Sequence, residues 1–391
     1  MRTTATHRAR RAFVVLGVLV PCLTACPPQT QMGNISPAEL HGEQLRQQQL
    51  VITSALKEQQ RLSDVAWPML TAGVPICGKW VAIQSGAIVT ALPDFGRIAQ
   101  EAARSLGYDD TLTVDIVARG SAADRAGLKA GDHIISLGGI AAPTGKGASL
   151  RFKRQTNHGP GKDGTLAVGA SPIPLIVARR DSAGATPRTL DLTITPDTTC
   201  AYGAVSVKNE ALNAWANGSL VFVTTAMARF AASDDELAVV VSHELAHNAM
   251  RHMDRKKKNA TLGALLGAAL DVAAATQGVN TGGGFANSGA NVGAASYSQD
   301  FEREADYVGM YILARAGRPY AESPNFWRRM AQESPGSISY ASSHPTSAER
   351  FIRLDRAAAE IKAKLDAGKP LLPEATVPGT APDSAKAPGG R

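Results

Sequence analysis

The chain has 391 residues, 44% hydrophobic and 19% charged, enough to bury more than one core and too apolar for a disordered or fibrous protein. Aromatic residues reach only 5%, so the cores must rest on Ala, Leu, Val and Ile. The formal charge is +7, but residues 1–25 hold four arginines and no acid; the rest carries 37 basic residues against 34 acidic ones, a balance of +3 that calls for no nucleic-acid partner.

Arg2, Arg8, Arg10 and Arg11 precede an apolar run, Ala12 to Val20, and then Leu23-Thr24-Ala25-Cys26. A basic start, a short apolar middle and small residues before a cut site read as an export signal over 1–25. The last four residues resemble a bacterial lipobox, in which Cys26 is lipidated and anchors the chain to a membrane. The alternative is an ordinary signal with a chance cysteine. Pro27 in place of Asp after Cys26 implies, by resemblance to sorted lipoproteins, the periplasmic face of the outer membrane. Residues 26–35 suit a tether. Ser36-Pro37-Ala38-Glu39 is a capping box that opens a Gln-rich helix predicted to about Leu62. Cys77 and Cys200 remain as an even pair, a disulfide in an oxidising compartment or two buried thiols.

Residues 95–197 are Gly-rich with short β-type runs, among them Leu112 to Val117 and Pro174 to Ala178. Gly120 to Ile135 (GSAADRAGLKAGDHII) predicts a strand, a short helix over Ala122 to Ala126, a turn at Lys129 to Asp132 and another strand. Ile176 to Arg180 and Thr189 to Ile194 predict a closing hairpin. This stretch resembles a PDZ domain. By that resemblance Leu106-Gly107-Tyr108 would be the turn whose amides bind a peptide carboxylate, with the peptide added as a strand. The other reading is a module that only packs on its neighbour. Flanked by Cys77 and Cys200, such an insert would be held at its stem by their disulfide, which removes about 4–5 kcal/mol of unfolded-state entropy for a loop of this length. His133 and His158 suggest no partner.

Further on, residues 213–225 predict a strand pair around Asn217-Gly218. Ser233-Asp234-Asp235-Glu236 is a second capping box, opening a helix with apolar Leu237, Val240, Val241 and Leu245 and a basic run at its far end. Thr261 to Thr276 is apolar but short for a membrane span. Residues 277–295, rich in Gly and Asn, read as a mobile segment fit for a lid. A helix is predicted from Ser298 to about Ala316, stopped by Gly317. Thr346 to Glu349 is a third capping box, opening a helix to about Ala367, and 368–391 reads as a disordered tail.

The chemistry concentrates in His243-Glu244-Leu245-Ala246-His247. A spacing of four puts both imidazoles on one helix face, where their nitrogens can hold one Zn²⁺. Glu244 beside them can accept a proton from water. A third ligand is required. Glu302 and Glu304 are the candidates, and a helix turns about 200° between them, so only one faces the metal. Asp306, one turn beyond Glu302, can receive the free N–H of a ligand histidine. His252 falls off the metal face and reads as structural.

His243 to His247, followed by Glu302-Arg303-Glu304-Ala305-Asp306 and Ala314 to Gly317, resembles the HtpX-like family of zinc metallopeptidases, which also holds prenyl-protein endopeptidases, mitochondrial Oma proteases and periplasmic BepA-type proteases. The resemblance implies Glu302 as third ligand and Asp306 as its partner. Gln299 stands after Ser298 where the family often has Arg. Ser343-His344-Pro345 matches a third element of the periplasmic and mitochondrial members. His344 then stabilises an oxyanion, caps the zinc or only opens a helix. Asn213 would lie near the substrate groove.

The expectation is therefore an α+β protein. A mainly helical zincin-type domain with a small sheet spans 36–94 and 198–367 and holds one Zn²⁺ per chain. A PDZ-like insert occupies 95–197. Its expected activity is endoproteolysis of unfolded or misassembled envelope polypeptides. The rival is a PDZ-bearing envelope adaptor or chaperone with a structural or latent zinc site.

Overall fold

The computed structural model describes residues 33–156, 171–181, 185–277, 281–295, 298–333 and 348–374. By contacts the chain divides into Met1–Gln44 and Leu45–Arg391. In the first unit the capping box forms as expected: Glu39 N–H donates to Ser36 Oγ (3.2 Å) and Ser36 N–H to Glu39 Oε2 (2.8 Å).

Helix α1, Pro37–Ala72, runs a further ten residues past its predicted end and contains Pro68. Burial explains the extension: Leu62, Val65, Ala66, Met69 and Leu70 form one apolar face against the main core, and packing overrides the proline's cost. The chain continues through α2 (Val74–Cys77), β1 (Val81–Gln84), β2 (Ala87–Thr90), α3 (Gln100–Ser105), β3 (Leu112–Val117), α4 (Ala122–Arg125), β4 (His133–Leu137), β5 (Ile140–Ala141), α5 (Ala148–Thr156), β6 (Ile173–Arg179), β7 (Arg188–Ile194) and β8 (Asp197–Cys200). Then come β9 (Gly203–Val207), β10 (Ala214–Ala216), β11 (Leu220–Thr224), α6 (Thr225–Phe230), α7 (Asp234–Ala249), α8 (His252–Thr276), α9 (Gly284–Ala295), α10 (Ser298–Arg315), α11 (Ser323–Glu333) and α12 (Ala348–Asp366).

Strands β2-β3-β4-β6-β7 form one sheet in that order, with β5 beside β4. Leu112, Val114, Leu175 and Val177 alternate inward and close a core with Ala122, Ala123, Leu128, Ile134 and Ile194. The short helix, the turn and the hairpin predicted between Gly120 and Ile194 are all present. The sheet starts at Ala87, however, earlier than the expected boundary at 95. Its stem is the antiparallel pair β1/β8, in which Val81 faces Cys200. The Cys77–Cys200 disulfide lies beside that pair, with Cα atoms 5.7 Å apart. Cross-link and strand pair together hold the two ends of the module side by side. Gln60 donates to Val117 O (2.8 Å) and Arg119 N–H to Asp64 (2.7 Å), fixing the module on α1.

Three expectations fail here. The Leu106–Tyr108 turn offers no amide to a carboxylate: Leu106 N–H donates to Ala102 and Ala103 O, Gly107 N–H to Arg104 O and Tyr108 N–H to Ala103 O. It is the stop of α3, with Gly107 left-handed at φ 95° and Tyr108 buried against Phe95. The segment 277–295, read as mobile, contains α9, packed on α8. The tail is held at least to Glu374, whose N–H donates to Tyr307 Oη (3.0 Å), while Lys364 Nζ donates to Leu372 O (2.7 Å).

The main core joins the second half of α1 to α7, α10, α11 and α12, and to the sheet β10-β11-β9. Strand β9 runs parallel to β11, and the predicted hairpin β10/β11 is antiparallel. Gln59 of α1 caps the outer edge of β9 through Ala204 O (2.9 Å) and Ser206 N–H (2.9 Å).

Candidate metal centre

Helix α7 starts where the sequence predicts. Ser233 Oγ accepts from Glu236 N–H (3.2 Å), and Asp234, Asp235 and Glu236 stand in the first turn, where acid complements the helix dipole. Every residue from Leu237 to Ala249 is buried. The helix is thus a core helix rather than a surface one with an apolar stripe. Such burial brings imidazoles and carboxylates out of water, where each must be paired.

Helix α10 crosses α7 at close range because Gly309 has no side chain. A Cβ there would lie 3.2 Å from both Cα and N of His243. This approach brings Glu302 to the two histidines. The Nε2 atoms of His243 and His247 are 3.2 Å apart; Glu302 Oε2 is 3.3 Å from the first and its Oε1 3.4 Å from the second. A tetrahedral ion with bonds of about 2.0–2.1 Å separates its ligands by roughly 3.3–3.4 Å, so this donor set fits one metal. The three side chains form the group among the described residues that can hold an ion.

Each imidazole is held from behind. Asp306 Oδ1 lies 2.9 Å from His243 Nδ1. Asp306 in turn receives both arms of Arg350 of α12 at 2.7 Å, and the guanidinium stacks 4.0 Å from the Trp327 ring of α11. Trp327 meets His243 edge-on at 5.3 Å. Burial raises the Asp306 carboxyl, but Arg350 and His243 outweigh it and keep it below its ordinary range, hence ionised. Burial lowers His243, but Asp306 and Glu302 outweigh it and lift the imidazole to about 10. The pocket around His243 is built for a positive charge.

His247 has the opposite balance, and burial lowers it. Its Nδ1 is 2.8 Å from Nδ1 of His252, whose Nε2 is 2.9 Å from Glu304 Oε2. Arg255 also donates to Glu304 (2.8 Å), and Phe301 stacks on His252 at 4.6 Å. This fixes the tautomers. With Nε2 of His247 kept as a lone pair for a metal, its Nδ1–H donates to His252, and His252 Nε2–H donates to Glu304. His252 is therefore no bystander, as its helical position suggests. Arg251 breaks the helix with φ 58°, the one non-glycine residue with positive φ among those described, and swings His252 back over His247.

Glu302 rather than Glu304 faces the histidines, and Asp306 is where the sequence places it. Glu244 is buried beside them on α7, and its charge acts on His247. Asn213 precedes the edge strand: its carbonyl accepts from Thr224 N–H (3.0 Å). Ladder alternation then aims the amide and carbonyl of Ala214 and Ala216 away from β11. Asn248, next to His247, ties α7 to this hairpin by accepting from Gly218 N–H (2.7 Å) and donating to Leu220 O (3.2 Å). Sequence reasoning missed Arg350, Asn248 and the role of His252. Arg350 follows the third capping box directly, but nothing local says that it reaches Asp306. Cys26 and His344 lie outside the described residues.

Residues 190–358 match Peptidase family M48. The beta-barrel assembly-enhancing protease of Yersinia pestis is 33% identical over 139 residues, covering 33% of this chain and 28% of its own. The mitochondrial metalloendopeptidase OMA1 of Saccharomyces cerevisiae is 31% identical over 148 residues, covering 36% and 41%. The chain thus spans less than half of these relatives. A solved HtrA-type protease with a decapeptide aligns at 24% identity over 30% of this chain and 29% of its own, with a TM-score of 0.21, too low to establish a shared fold. Both helices that face the metal site, α7 and α10, lie inside the segment that matches Peptidase family M48.

Proposed function

We propose that the chain is a zinc-dependent endopeptidase of the bacterial cell envelope. One observation carries the reading: His243, His247 and Glu302 converge at tetrahedral ligand spacing with the carboxylate of Glu244 buried beside them. A structural zinc has no use for such a base, and its sites are closed by four protein ligands. When bound, zinc supplies an acidified water and polarises the scissile carbonyl. Glu244 takes the water proton and passes it to the leaving amine. Asp306 and His252 hold the imidazoles in the ligating tautomer. The peptide is laid along β10 as an added strand near Asn213, with the outward groups of Ala214 and Ala216 as partners. The motif Ser343-His344-Pro345 supports His344 as a donor to the oxyanion.

The leader and Cys26 support a lipid-anchored chain on the periplasmic side of the outer membrane, and the Cys77–Cys200 bond fits an oxidising compartment. Substrates are unfolded or misassembled envelope proteins, a reading supported by relatives named for β-barrel assembly. The module based on residues 95–197 resembles a PDZ domain in sequence; with the amides of Leu106–Tyr108 used internally, its contacts to α1 favour a packing role. The test is cleavage of fluorescent casein by the full chain. Activity should vanish with a chelator and return with stoichiometric zinc; cleavage that persists in chelator would refute the proposal.

A further inference from the structure

Helices α8 and α9 form a hairpin that leaves the active-site helix at Arg251. Helix α8 has 25 residues, is long and apolar enough to cross a membrane, and only 6% of its most apolar stretch is buried. A helix from a soluble core would be mostly buried, and a leader would stand near the N-terminus; α8 is neither. Its exposed side chains are not scattered. Leu262, Leu265, Leu266 and Leu270 lie 57–64% exposed at spacings of three and four, one continuous face.

The opposite face of α8 is closed on α9 by glycines. A Cβ on Gly267 would sit 2.0 Å from Phe285 O, and one on Gly289 would sit 2.1 Å from Gly263 O. Gly263 and Gly267 are spaced as in helix pairs that pack backbone to backbone in lipid. The acid within the apolar stretch, Asp271, is turned inward onto Thr281 and the N–H groups of Phe285 and Ala286. Polar Asn287, Ser288 and Asn291 of α9 are exposed. The hairpin thus exposes a row of leucines on α8, while α9 exposes amides and a hydroxyl together with one aromatic ring, Phe285. At the base of the leucine face, beyond Arg255, which is held on Glu304, come Lys256, Lys257 and Lys258, with Lys258 one turn before Leu262 on the same side.

We propose that this face of α8 docks on an anionic lipid surface. The leucines enter the boundary between headgroups and acyl chains, and the basic run binds lipid phosphates. Charge complementarity selects lipid as the occupant. A second copy of the chain would bring its own three lysines against these. Docking would hold the metal centre at the membrane surface, because α8 begins at His252, in contact with His247.

The test labels the full chain at Leu266→Cys with an environment-sensitive fluorophore, in a Cys22→Ser, Cys26→Ser background that leaves the Cys77–Cys200 bond intact. Vesicles of phosphatidylethanolamine and phosphatidylglycerol should shift the emission to the blue, with quenching by acyl-chain spin labels. The same label at Ser288→Cys should not respond. Lys256→Glu, Lys257→Glu and Lys258→Glu together should weaken binding about tenfold or more. No shift at 266, an equal response at 288, or a shift that survives the triple charge reversal would each overturn the proposal. So would a shift that appears on raising protein concentration without lipid, the mark of self-association.

Discussion

Replacing Arg350 by Met keeps the volume of a buried side chain and removes its charge. Both Asp306 and Arg350 are within 7% of full burial, and two bonds of 2.7 Å join them. Breaking a buried pair from one side costs about 3–5 kcal/mol, because the partner charge is left without compensation. The guanidinium also loses its place over Trp327, a contact worth roughly 1–2 kcal/mol when desolvated. Against this, Asp306 keeps His243, whose raised proton affinity supplies part of the missing charge. The expected loss is about 3 kcal/mol in urea unfolding, measured with chelator present so that metal linkage does not enter. Asp306→Asn with Arg350→Met removes both charges and should recover at least half of that loss, while zinc affinity, read by competition with a chromogenic chelator, stays about 10–100-fold weaker. A single variant that costs under about 1 kcal/mol, or a double variant no more stable than the single, would refute the reasoning.

His252→Ala should weaken zinc binding about 10–100-fold with the fold intact, since His247 loses the acceptor of its Nδ1–H; unchanged affinity would return His252 to a packing role. Gly309→Ala puts a methyl 3.2 Å from the His243 backbone and should cost about 1–3 kcal/mol while lowering metal affinity; a neutral result would mean that α10 can shift freely. Burial pushes the Glu236 carboxyl up, but Arg329, at 2.6 Å through both arms, and Ala232 N–H outweigh it and hold it below 4.5. A depressed folded value means stabilisation that is complete above pH 4.5 and lost as pH falls through the folded value. Glu236→Gln should therefore cost about 1 kcal/mol at neutral pH and flatten the acid limb of the stability curve; an unchanged limb would show that the pair adds nothing.

The parts of the site that obey helical periodicity were legible in the sequence. His243 and His247 share a face because they are four apart, and the 200° turn between Glu302 and Glu304 separates a ligand candidate from a residue on the other side. What remained hidden depends on chain reversals and on contacts between distant elements. His252 reaches His247 only because Arg251 leaves the helical region. Arg350 reaches Asp306 only because α12 packs across α10. The Leu106–Tyr108 turn misled because hydrophobic-Gly-hydrophobic serves a helix stop as well as a binding turn, and only the fate of the three amides distinguishes them. Helix α9 was hidden by its glycines, which weaken a helix in water and here permit close contact with α8.

Metal content and casein cleavage, measured together on the wild type and on Glu244→Gln, test most directly whether this centre is catalytic. About one zinc per chain in both proteins, with cleavage in the wild type alone, is the predicted result. Undiminished cleavage by Glu244→Gln, or a wild type that binds no metal, would contradict it.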